Sequence, residues 1–203
     1  KLFPYTTLFR SDSAWDPKHY GSIAVTKFEV AGSGDLTDKM QFIQPDDHNT
    51  ADHTVFQVTL PKPVAPGESV EFHLDFEDQL PRVSARTGYV REFNMVGQWF
   101  PKVGVWWHGA WNCHQFHATS EFFADFGTFD VKLTVPQNEI LGATGDLVST
   151  TNNADRTKTV EYRAEDIHDF SWTASPHFRD VEDSWKGRSE ERRVGEECRS
   201  RWS

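Results

Sequence analysis

In residues 70–76, VEFHLDF, the apolar side chains fall at every second position: Val70, Phe72, Leu74 and Phe76. A period of two lets a strand bury one face and wet the other, and a helix cannot use it. The same alternation runs through SIAVTKFEV (22–30), TVFQVTL (54–60), TFDVKLTV (128–135) and KTVEYRA (158–164). Turn-forming stretches separate these runs. AGSGDLTD follows residue 30, PKPVAPGES follows residue 60, and GATGDLVSTTNNADRT (142–157) has the glycine and asparagine content of a hairpin region. No segment sustains a 3.6-residue apolar period over three turns. Short alternating strands at this spacing predict an all-β fold, an antiparallel saddle-shaped sheet or sandwich forming a single domain.

The two ends do not share this pattern, and they are related to each other. Residues 2–11, LFPYTTLFRS, and 188–197, RSEERRVGEE, can be written as opposite strands of one DNA. Ser11 as TCT reads backwards as AGA, the codon of Arg188, and the rule holds through to Leu2 and Glu197. The relation resembles translated sequencing-adapter DNA carried on both ends of a fragment. Residues 1–11 and 188–203 are therefore expected to be artefactual tails that take no part in the domain. Residues 12–187 are expected to form the domain, incomplete at both ends.

Charge narrows the partners. The chain has 21 basic and 31 acidic residues, a net −10, and the two tails hold seven of those bases and four of those acids. The interior therefore stands at −13, which disfavours a nucleic-acid or anionic-membrane surface, since both reward clustered Lys and Arg. No apolar run approaches the roughly 18 residues needed to cross a bilayer. With Cys198 in a tail, Cys113 stands as a lone thiol and cannot form an intrachain disulfide within residues 12–187.

Three stretches hold residue types capable of chemistry. Residues 93–127 concentrate Trp99, Trp106, Trp107 and Trp111. In a β domain such rings are expected to fill the core, and the other reading is an exposed platform for stacking sugars. CHQFH places Cys113, His114 and His117 within five residues, all zinc-ligand types. A structural zinc needs four ligands and no second pair stands nearby, so ordinary hydrogen-bonded histidines are expected, facing opposite ways if the segment is a strand. In IHDFSW, His168 and Asp169 are adjacent, and neighbours on a strand face apart, so they are not expected to form a catalytic dyad with Ser171. There is no H-E-x-x-H, no phosphate-binding glycine loop and no paired cysteines. Catalytic and metal-ligating residues are accordingly expected to be absent. Gln98, in VGQWFP, stands before two large aromatics and a strand-breaking proline, where a glutamine serves either structure or an amine ligand.

Several motifs in one order carry a resemblance. LPKPVAPGESVEFHLDFE, GQWFPKVGVW, WNCHQFHATSEFFADFGTFDVKLTVP, GATG and EDIHDFSWTASPHF together resemble the N-terminal domain of zinc metallopeptidases of the alanyl-aminopeptidase (gluzincin) family, over roughly residues 50–180. The resemblance implies a saddle-shaped β domain packed in cis on a thermolysin-like catalytic domain. That absent domain would bring H-E-x-x-H, the zinc with all its ligands, and the peptidase activity on peptide substrates. It also implies that Gln98 lends its carbonyl to the free amino terminus of the peptide. Around this glutamine the family pattern runs on to an arginine and a Pro-Cys-x-Asp-Glu-Pro segment, whereas this chain has WFPKVGVWWHG. The reading set against this one is a stand-alone β-sandwich module that binds carbohydrate or protein.

Overall fold

The computed structural model describes residues 2–3, 20–82, 86–117 and 123–179, and these form an all-β, sandwich-like domain with no α-helix among them. Its ladders are antiparallel, in four open sheets and one separate hairpin, and none closes into a barrel. The boundaries after residue 11 and before residue 188 lie outside the described residues. Leu2–Phe3 pairs through its main chain with Phe56–Gln57 on one side and Lys102–Val103 on the other. Main-chain pairing of this kind asks little of the added strand's sequence.

The strand Ser22–Val30 pairs with Phe72–Gln79, as alternation in both stretches predicts. Within SIAVTKFEV the apolar set begins at odd positions, Ile23 and Val25, and ends at even ones, Phe28 and Val30. A register shift between Val25 and Lys27 reconciles the two. The irregularity supplies one extra residue, which turns the second half of the strand over and keeps both apolar halves inward. Phe28 and Val30 then close a core cluster with Phe56, against Phe72 and Leu74.

The second layer is Gly127–Pro136, Thr157–Ile167 and Asp146–Asn152, with Thr157–Ile167 in the centre. Phe129, Val131 and Leu133 face inward at every second position and meet Val160, Tyr162 and the fully buried Phe170. Full burial of each such large side chain is worth about 1.5–3 kcal/mol. The region 142–157, expected to be a hairpin connection, contains a seven-residue strand of its own, Asp146–Asn152, entirely exposed along one edge. Its neighbour Ile140–Ala143 belongs to another sheet, beside Trp172–Ser175, Phe93–Val96 and Gly88–Val90. The chain thus changes sheets over two residues, Thr144 and Gly145. The expected strand at 54–60 is reduced to Phe56–Gln57, because the following residues lead directly into the proline-rich connection.

Candidate functional site

Gln98 lies two residues beyond the end of Phe93–Val96. The intervening Gly97 is packed so tightly that an added Cβ would stand 2.9 Å from the Arg86 carbonyl oxygen. Gln98 itself has φ 55°, in the left-handed region. For a residue with a Cβ this conformation costs about 1–2 kcal/mol and persists only where the surroundings impose it. Here they do. The Trp99 indole N–H donates to the Phe170 carbonyl at 3.0 Å, and its ring meets Phe100 at 5.3 Å and Trp172 at 6.4 Å, both edge to face. The anchored aromatics leave the Gln98 side chain half-buried beside them, with no hydrogen bond among the described residues.

Below this turn lies a largely buried ion pair. Lys102 Nζ is 2.9 Å from Asp169 Oδ1 and 5.3 Å from the centre of the Phe100 ring. The same Asp169 oxygen accepts the Phe170 N–H at 2.8 Å. His168 turns away and packs on Phe126, with ring centres 5.6 Å apart. Ser171 engages Thr144 through its backbone. The adjacent His168 and Asp169 therefore do not orient one another. Asp169 holds a lysine instead.

The tryptophans divide between two environments. Trp99 packs against the core as expected, with Trp172 beside it. Trp106, Trp107 and Trp111 do not, standing 57%, 55% and 42% exposed. They sit on the hairpin Val105–Trp107 and Ala110–Asn112, closed by His108 (φ 48°) and Gly109 (φ 81°). Two consecutive left-handed residues make the tight turn that suits the twist of a two-residue hairpin. A side chain followed by glycine between two aromatic runs was a legible signal for it. Trp106 pairs with Trp111 across the hairpin, rings edge to face at 5.1 Å, while Trp107 pairs with the small Ala110.

Beside the hairpin, His114 and His117 converge on one carboxylate. Nδ1 of His114 is 2.7 Å from Asp46 Oδ1, Nε2 of His117 is 3.0 Å from Asp46 Oδ2, and the Gln115 N–H donates to Oδ2 at 2.6 Å. The expected opposite orientation presumed a strand, but residues 113–117 join no ladder, and the irregular backbone lets both rings reach the same acid. Cys113 is buried beside Val55. Among the described residues no group of three or more His, Cys, Asp or Glu side chains is arranged to hold a metal ion.

Desolvation pushes the Asp46 carboxyl up, but hydrogen bonds from His114, the Gln115 N–H and His117 outweigh it and hold the group below the ordinary aspartate range. A depressed folded-state value contributes stability above the unfolded value near 4, and that contribution is lost as pH falls through the folded value. Asp46→Asn puts an amide NH2 against existing donors. Urea unfolding at pH 7 is expected to show a loss of about 1–3 kcal/mol. The gap to the parent should narrow below pH 4. An equal gap at pH 7 and pH 3 would show that the carboxylate's charge is not what these donors recognise.

No family model matches the chain, and neither a curated protein nor a solved structure matches it.

Proposed function

We propose that this chain is the non-catalytic N-terminal β domain of a zinc aminopeptidase-type metallopeptidase, and that Gln98 anchors the amino terminus of the peptide substrate. The supporting observation is the Gln98 turn itself: a left-handed, non-glycine backbone whose carboxamide has no hydrogen-bond partner among the described residues. Strain of this size held in place by packing is concentrated at ligand-holding positions. A carboxamide oxygen is a suitable acceptor for an ammonium group, and Trp99 and Phe100 beside it limit competition from water. The net negative charge of the chain favours a cationic peptide end.

Hydrolysis belongs to a catalytic domain packed in cis, which brings the zinc, its ligands and the general base. The exposed Trp106 and Trp111, with Val103 at 49% exposure, offer apolar surface of the kind that such packing covers. The 203-residue chain incubated with zinc and alanine 4-nitroanilide is expected to release no nitroaniline. Turnover by the chain alone would remove the need for a partner domain. In an open reading frame that continues past codon 187 into H-E-x-x-H, Gln98→Ala should raise KM for the anilide about tenfold, the loss of one hydrogen bond to a charged group. An unchanged KM would remove Gln98 from the substrate site.

A further inference from the structure

The exposed hairpin borders an open cleft of about 350 Å³, lined by Pro45, Asp46, Trp107, Ala110, Asn112 and His114 among others. We infer that this cleft is a binding site for a neutral saccharide, with Trp107 as its stacking platform. The inference stands independently of the aminopeptidase reading.

Three features select the ligand chemistry. First, Trp107 is 55% exposed and its cross-strand partner is Ala110, whose single methyl leaves the neighbouring space open. A larger residue there would crowd the indole, whereas a ring touched only edge to face, by His108 at 5.0 Å and Phe123 at 6.3 Å, still offers a pyranose ring a flat apolar surface at low entropy cost. Secondly, strand alternation places Asn112 on the same side of the hairpin as Ala110, so an amide able to donate and accept stands along the platform. Thirdly, Asp46 sets the tautomer of His114. The ionised carboxylate only accepts, so Nδ1, 2.7 Å from Oδ1, carries a proton, and in the neutral ring Nε2 is left as an acceptor. Asn112 and His114 thus bring a donor and an acceptor to the lining of one cleft, which suits hydroxyl groups, each able to give and to receive. A cation finds a poorer match. Asp46 already receives three donors, from His114, His117 and the Gln115 N–H.

The test is a tryptophan-fluorescence titration of the full chain with cellotriose, maltotriose and chitotriose, with choline as the cationic control. At least one trisaccharide should give a saturable change in the millimolar range or below. Trp107→Ala should weaken it tenfold or more. Trp107→Phe, which keeps an aromatic ring and so preserves packing, should weaken it severalfold. Asn112→Ala should also weaken it, and Leu147→Ala, on the exposed edge strand Asp146–Asn152, should leave it unchanged. Thermal midpoints within about two degrees of the parent would separate lost binding from lost folding. The inference fails if none of the three sugars saturates, if choline alone does, or if a folded Trp107→Ala binds as the parent does. Failure here leaves the Gln98 proposal standing, because that one is read from anilide KM and not from this cleft.

Discussion

Phe170→Ala should lower the stability of this domain by about 3–5 kcal/mol, read as a shift in the urea midpoint at unchanged slope. Phe170 has no solvent exposure and lies in the cluster that Gly127–Pro136 and Thr157–Ile167 share with Leu141, Ala143 and Trp172. Its ring contacts Phe129 and Tyr162 at 6.3 and 6.4 Å between centres, and it shares a cluster with Leu133 and Val160. Truncation removes the transfer energy of a benzyl group and leaves a cavity that sheets pinned by their ladders cannot close. Total stability for a domain is about 5–15 kcal/mol, so the loss ranges from about a fifth of it to the whole. Phe170→Leu keeps most of the volume and should cost markedly less, which preserves a readable comparison if the alanine variant does not fold. The Phe170 carbonyl also receives the Trp99 indole N–H, so displacement of this segment should loosen the Gln98 turn. A red-shifted tryptophan emission in the leucine variant would report that coupling. A loss below 1 kcal/mol for alanine would mean that Phe170 does not hold this cluster together.

Gly145→Ala is expected to cost about 3 kcal/mol or more, although it adds a single methyl. Two independent penalties meet at this position. The backbone has φ 89°, which side chains with a Cβ rarely adopt. An added Cβ would also stand 2.3 Å from the Arg163 carbonyl oxygen and 2.7 Å from the Ala164 Cβ. Neither obstacle is the far end of a flexible side chain, and the first belongs to the central strand Thr157–Ile167. Relief requires moving the corner at which the chain leaves one sheet for another. That corner is held by Thr144, whose N–H donates to the Ser171 carbonyl at 2.9 Å. Gly32 is the matched control, with φ 75° and nothing within 4 Å of its added Cβ. Gly32→Ala should show the conformational penalty alone, about 1 kcal/mol. Equal losses at the two glycines would show that close approach at Gly145 adds nothing to the backbone cost.

Much of the fold was legible because strand burial is a local signal. Alternation at 22–30, 70–76, 128–135 and 158–164 corresponds to Ser22–Val30, Phe72–Gln79, Gly127–Pro136 and Thr157–Ile167. The four-residue strands Phe93–Val96, Ile140–Ala143 and Trp172–Ser175 escaped that reading, since so few residues hold barely two periods. The tryptophan-rich region was misleading in part. Its composition suits a core, but a two-residue turn turned three of the rings outward.

Residue types and their spacing by themselves determined an all-β class and the absence of an H-E-x-x-H motif, whereas His168 and Asp169 part on irregular backbone beyond Thr157–Ile167 and not, as expected, on a strand. Tertiary structure alone decided which distant groups meet. His114 reaches a carboxylate 68 positions away, Lys102 neutralises Asp169, and Gln98 is forced into a left-handed turn by aromatics anchored on Phe170. The division has a physical cause. Periodicity reports the free energy of burying one face of a segment, a property that neighbours along the chain share. A convergent polar site depends on the register between segments and on the path of irregular backbone, and no window of sequence contains either.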